Sequence, residues 1–418
     1  MTPRSRPKLD VAACRREFPA LTRTVNGRPA VFLDGPGGSQ VPARVAGAVA
    51  RYLASMNANS GGAFATSVET DAMLAEAHRA AADFVGASDP GCVAFGANMT
   101  TLALSLARAL ARTWRSGDEV VVTRLEHDAN VTPWVQAARD AGAAVRHAAI
   151  RRTDCTLDLD DLESKLAEQT RLVAVGCASN AVGTIAPVGE IVEMAHAYGA
   201  EVFLDAVHLA PHALLDVEAW GCDYLCCSAY KFFGPHVGVL YGKREKLEGL
   251  PAYKLRPSPE DLPHRWETGT QCHEGIAGTL EAIEYLADLG RRIARVPLPR
   301  REALREAYAA IREHERGLAA RALEVLLAIP GVEVRGIADP DRLDERTPTF
   351  GFTHRRLAPA EVAARLADEG IFVWSGNFYA LPLTEALGIE PGGLARAGFL
   401  HYNTLDEVER LGEALARL

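Results

Sequence analysis

The stretch from Glu201 to Phe233 carries an acid and a lysine where both could act on one ligand. The apolar run Val202-Phe203-Leu204 ends in Asp205, and His208 follows three residues later. A second apolar run, Tyr224 to Cys227, leads into Ser228, Tyr230 and Lys231. An acid at one strand end and a lysine after the next are the groups that pyridoxal 5′-phosphate (PLP) chemistry requires. The carboxylate keeps the pyridine nitrogen protonated, so that the ring draws electrons. The lysine condenses with the aldehyde. The plainer reading is a buried strand end followed by a surface lysine, and a motif without its context does not separate the two.

The context is a repeating pattern. Cys92–Phe95, Glu119–Thr123, Ala144–Ala149, Arg171–Cys177, Glu201–Leu204, Tyr224–Cys227 and Val237–Tyr241 read as short strands. Helical spacing fills Leu102–Trp114, a stretch from Pro133, Leu159–Glu168 and Pro187–Tyr198 between them. Such alternation predicts an α/β fold with a doubly wound, mainly parallel seven-stranded sheet. Ligands bind these sheets beyond the carboxyl ends of the strands. Asn98, His127, Asn180, Asp205 and Ser228 all follow strands. Upstream, Gly35-Pro36-Gly37-Gly38-Ser39 breaks the strand Ala30–Asp34 and allows a close approach to a ligand. The chain divides into an N-terminal arm (1–30) with a short helix Val11–Phe18, a large domain (31–290) and a smaller C-terminal α+β domain (291–418). In the last, Val332–Val334, Thr349–Thr353 and Ile371–Val373 read as strands, and Pro359–Glu369 and Asp406–Ala416 as helices.

Composition narrows the class. The 418 residues are 48% hydrophobic and 24% charged, enough for a large core and more than one domain. A net charge of −9 argues against nucleic-acid or anionic-membrane partners. The basic N-terminus lacks the apolar core of a secretory signal, and no run has the length of a membrane span. The eight cysteines form no CxxC pair, and no metal site is expected. These features describe a reduced, cytoplasmic enzyme.

From Phe32-Leu33-Asp34 to His401-Tyr402-Asn403-Thr404 the motifs resemble, in order, the class V aminotransferase family of fold-type I PLP enzymes, and within it the cysteine desulfurase branch. The resemblance implies that Lys231 holds PLP and removes the Cα proton. Asp205 pairs with the pyridine nitrogen, and His208 lies beside the ring oxygen, as does Asn180. Ser228 and Tyr230 bind the phosphate together with Asn98, Met99 and Thr100, which open a helix whose N–H groups and dipole favour an anion. Tyr230 stands where desulfurases usually have histidine. His127 stacks on the cofactor ring and moves protons. Arg396 binds the substrate carboxylate, for which a guanidinium offers bidentate geometry. Thr270, in Thr268-Gly269-Thr270, reaches the phosphate of a neighbouring subunit, which implies a homodimer with shared active sites.

Two departures redirect the chemistry. Desulfurases that pass on sulfur carry a cysteine in the loop after Ile371-Phe372-Val373, whereas this loop reads Trp374-Ser375-Gly376-Asn377-Phe378-Tyr379-Ala380. Tyr379 occupies the matching position, and residues 273 to 418 contain no cysteine. Accepting a persulfide requires a thiolate. The desulfurases' basic pair after the first helix is also replaced, by the neutral Asn59-Ser60-Gly61-Gly62. The expected reaction is therefore β-elimination across a C–S bond of cysteine or an S-substituted cysteine. An aminotransferase, an epimerase and a desulfurase with a relocated cysteine such as Cys272 remain alternatives. A non-catalytic PLP-fold protein is disfavoured by Lys231, Asp205 and Arg396 occurring together.

Overall fold

The computed structural model describes residues 8–418, so the first seven residues of the expected arm lie outside it. Seven strands form one sheet in the order 93–96, 238–242, 224–228, 201–205, 170–176, 119–123, 144–148. All run parallel except Gly238–Gly242, which is antiparallel to both its neighbours. This is the expected α/β sheet.

Apart from the partly exposed edge strand Ala144–Ala148, which carries Arg146 and His147, its strands are mostly apolar because both faces are covered. Successive side chains point to opposite sides. Val121, Val173, Val175, Val202, Leu204 and Leu225 join one core, with helices Ala65–Val85 and His273–Ala294. Val120, Val122, Leu172, Ala174, Phe203 and Tyr224 join the other, with helices Met99–Ala111 and Thr132–Ala141. Cys226 and Cys227 fall on opposite faces and pack as small hydrophobes. All eight cysteines are free, and seven are buried.

The C-terminal region holds an antiparallel sheet in the order 332–335, 349–354, 394–398, 374–376. Its core draws on Leu318, Ala322 and Leu326 from the long helix Arg300–Ala328, and on helices Pro359–Asp368 and Leu405–Ala416. Two details differ from the sequence expectation. Ile371–Phe372 leaves this sheet to pair in parallel with Val31–Phe32, and Trp374–Gly376 forms a separate edge strand. Leu394–Gly398 is a central strand although Ala, Arg and Gly give it little strand propensity. Its two sheet neighbours hold it extended, which places Arg396. Among the described residues no helix is long and apolar enough to cross a membrane.

Candidate active site

A cavity of about 720 Å³ lies at the carboxyl ends of the parallel strands. Lys231 closes a single turn, Ala229–Lys231, after the strand Tyr224–Ser228. Its Nζ donates to the Pro36 carbonyl, which fixes the glycine-rich loop against it. Burial and then Arg396 lower the Lys231 pKa to about 7, with Asp205 opposing. Asp205 ends the adjacent strand and accepts a 2.9 Å hydrogen bond from the Val207 N–H at Oδ1. Burial raises its pKa to about 6, against the pull of that bond and of Lys231.

His127 accepts a 3.0 Å hydrogen bond from the Ala129 N–H at Nδ1, so its proton sits on Nε2. Burial and then Lys231 lower its pKa to about 4, which makes the free imidazole neutral near pH 7. The Tyr379 ring stacks on it, with centroids 5.4 Å apart and planes 23° from parallel. Asn98 spends its side-chain oxygen on the Thr101 N–H, forming a capping box, while the Met99 N–H donates to Ser228 Oγ at 2.9 Å. Asn98 is thus the plain N-cap as well as a wall of the cavity. The Tyr230 ring stacks on His236 at 4.9 Å.

His208 is buried, with Nε2 3.2 Å from Thr347 Oγ1, and burial pushes its pKa well down. Arg396 is buried too, and burial lowers its pKa to about 9 with Asp34 and Tyr230 opposing. One of its N–H groups donates to the Asn180 main-chain carbonyl at 2.8 Å. Its guanidinium carbon lies 3.9 Å from the centre of the Phe378 ring. The Asn180 side chain donates to the Phe378 carbonyl at 2.9 Å.

Every residue given a catalytic, cofactor or substrate role by the resemblance lines this cavity except Thr270, which borders a neighbouring one with Thr268 and Cys272. The sequence reading passed over Glu126. Its buried carboxyl accepts from Thr123 Oγ1 at 2.6 Å and Asn130 Nδ2 at 2.7 Å, and burial raises its pKa to about 7. A Cβ on Gly176 would stand 2.9 Å from Glu126 Oε2, so that glycine makes room for it. An acid immediately before a strand-end histidine was the available signal. His236, Trp374 and Phe378 also line the cavity and carried no such signal.

These groups fit PLP. Arg396 Nε and Asn180 Oδ1 are buried without partners in a wall of the cavity, and buried polar atoms rarely stay unpaired. Arg396 Nε is a ready donor for a carboxylate. Asp205 has an oxygen left for a pyridine N–H, Lys231 has a lowered pKa suited to an aldehyde, and the Met99 helix end with Ser228 suits a phosphate.

Residues 31–298 and 301–411 match the Aminotransferase class-V family, and the chain belongs to it. It is accordingly a PLP-dependent enzyme. A probable cysteine desulfurase of Halalkalibacterium halodurans is 33% identical over 96% of both chains. The apo structure of a cysteine desulfurase from Thermococcus onnurineus superposes with a TM-score of 0.85 at 29% identity, covering 98% of each chain. A cysteine desulfurase structure from Escherichia coli gives 0.83 at 26% identity, again over 98% of each.

Proposed function

We propose that the chain is a C–S lyase that eliminates the sulfur substituent of cysteine or an S-substituted cysteine. One observation carries this reading: the cavity that gathers Lys231, Asp205 and Arg396 is lined by no cysteine among the described residues. The similarity to cysteine desulfurases supports C–S chemistry. The missing thiol supports release of the sulfur rather than its capture.

Bound PLP supplies an electron sink for negative charge developing at Cα. Arg396 binds the substrate carboxylate through Nε. Lys231, freed when the substrate's amine takes its place on the cofactor, takes the Cα proton at Nζ, and its lowered pKa leaves much of it as neutral amine near pH 7. Asp205 would accept a hydrogen bond from the cofactor's pyridine N–H and keep that nitrogen protonated. The Cβ–S electron pair departs with sulfur as thiolate or sulfide, and the enamine product hydrolyses to pyruvate and ammonia. His127 gives the cofactor ring a flat neutral face. With Nδ1 accepting from the Ala129 N–H, His127 would be able to hand on a proton from Nε2. Ser228, Tyr230 and the Asn98–Thr100 helix end would hold the cofactor's phosphate.

The same reading takes residues 31–290 as the cofactor domain and 291–418 as the domain that carries Arg396. It takes the enzyme as a cytoplasmic homodimer in which Thr268-Gly269-Thr270 serves the partner's site, supported by the exposure of that segment away from its own cavity. Incubation with L-cysteine and S-substituted cysteines tests the function. Pyruvate and free thiol, with all eight cysteines unmodified by mass spectrometry, are expected. Stoichiometric persulfide on one cysteine, with turnover lost on its replacement by alanine, would instead mark a relocated desulfurase nucleophile. Cα hydrogen exchange without C–S cleavage would mark an epimerase or aminotransferase.

A further inference from the structure

The segment Trp374–Ala380 is fastened to the cavity with more care than a covering loop needs. Phe378 and Tyr379 both have left-handed backbones, with φ of 57° and 58°. Such strain in two successive non-glycine residues persists only where surrounding contacts impose it, and it concentrates at functional sites. The contacts are present. The Phe378 carbonyl accepts from Asn180 Nδ2 at 2.9 Å, and the Tyr379 carbonyl from the Asp128 N–H at 2.7 Å. Asn377 Oδ1 accepts from the Tyr379 N–H at 3.1 Å, and Phe378 lies under Arg396. The outcome is a fixed Tyr379 ring stacked on His127.

Tyr379 is 71% exposed and Trp374 54%, whereas Arg396, Asp205 and Glu126 are buried. The charged groups therefore form the floor and the rings form the mouth. The cavity of about 720 Å³ has to take the cofactor as well as the substrate, and Trp374 and Tyr379 both line it. We propose that this mouth selects cysteine S-conjugates whose sulfur bears a flat, uncharged, unsaturated group, with Tyr379 and Trp374 as the specificity-determining residues. The inference rests on the lyase reading and names its substrate class. Flat groups stack favourably on such rings, and an uncharged one meets no unpaired charge there.

The experiment compares L-cysteine, S-methyl-L-cysteine and S-benzyl-L-cysteine on the holoenzyme. It measures kcat/KM for pyruvate release and dissociation constants from the absorbance of the bound cofactor. S-benzyl-L-cysteine should be preferred over L-cysteine by about tenfold or more. Tyr379→Asn, which removes the ring but tolerates a left-handed backbone, should bring that ratio close to one. Trp374→Leu should lower it partway and serves if the first variant folds poorly. A wild-type ratio near one, or a ratio unmoved in both variants, overturns the proposal. Ring-dependent binding of S-benzyl-L-cysteine with no pyruvate from any substrate would refute the lyase reading and leave the selectivity standing. Equal pyruvate release from all three would do the reverse.

Discussion

At the floor of the cavity, Asp205, Ser228 and His127 stand at or just beyond the ends of strands buried on both faces. At the mouth, Trp374, Phe378 and Tyr379 sit on a three-residue edge strand and the turn after it. The floor is positioned by the whole sheet, and its geometry is paid for by two hydrophobic cores. The mouth is positioned by a few hydrogen bonds, from the Asn180 side chain, from the Asp128 N–H and to Asn377 Oδ1. Chemistry shared across a family can therefore stay fixed while a short segment changes what reaches it. Floor variants should lose the reaction; mouth variants should change its substrate.

The largest expected effect tests the floor. Lys231→Ala should lower turnover by about 10⁴-fold or more, since both the cofactor's anchor and the proton acceptor disappear. The readout is the borohydride-reduced lysine adduct, mapped by mass spectrometry. An adduct on another lysine would remove Lys231 from the centre of the site. Next, Asp205→Ala should slow Cα deprotonation by about a thousandfold, on the order of 4 kcal/mol in the barrier, while PLP still binds. Deuterium exchange at Cα measures this step alone. Unchanged exchange would take Asp205 out of the mechanism.

The same contrast explains what could be read from the sequence. The sheet was legible because strands buried on both faces are continuous apolar runs; Asp205 follows one directly, and Asn98 and Lys231 lie a few residues beyond two others. Arg396 was found by its resemblance to a family motif, not by pattern, because its strand is built from alanine and glycine. Glu126 was missed because its importance lies in full burial beside Gly176, a contact between separate strand ends. The mouth was legible only as a missing cysteine. That Phe378 lies under Arg396 and Tyr379 on His127 depends on backbone angles that non-glycine residues seldom adopt.

A region outside both floor and mouth sharpens the contrast, because its effect should be on stability. Glu267 precedes Thr268-Gly269-Thr270 and accepts from His78 Nε2 at 2.8 Å and the Phe95 N–H at 2.9 Å, with His264 also beside it. Burial alone would raise its pKa, but hydrogen bonds from His264 and His78, with the Phe95 N–H, outweigh it and hold the value at about 2. A depressed folded-state pKa stabilises above the unfolded value of 4.5, and the contribution is lost as pH falls from there through 2. Glu267→Gln should therefore cost about 3 kcal/mol at pH 7, with the difference from wild type shrinking below pH 4.5. Urea unfolding at several pH values checks it, and a difference that does not vary with pH would contradict the ionic account.

The smallest effect is expected where floor meets mouth. Asn180 donates to the Phe378 carbonyl, and its own main-chain carbonyl holds Arg396. Asn180→Ala keeps the second contact and removes the first, a loss of about 1 kcal/mol for one neutral hydrogen bond. If that bond chiefly fixes the Phe378-Tyr379 turn, KM for S-benzyl-L-cysteine should rise about fivefold with L-cysteine less affected. The buried Oδ1 has no protein partner, however, and the family resemblance places Asn180 near the cofactor's ring oxygen. If contact with that oxygen dominates instead, the variant should shift the pH at which the bound cofactor's absorbance changes, and both substrates should suffer alike. A KM change confined to the conjugate, with the absorbance titration unmoved, would assign Asn180 to the mouth. A moved titration with the substrate ratio intact would assign it to the floor, and the fixed turn would then depend on Asp128, Asn377 and Arg396 alone.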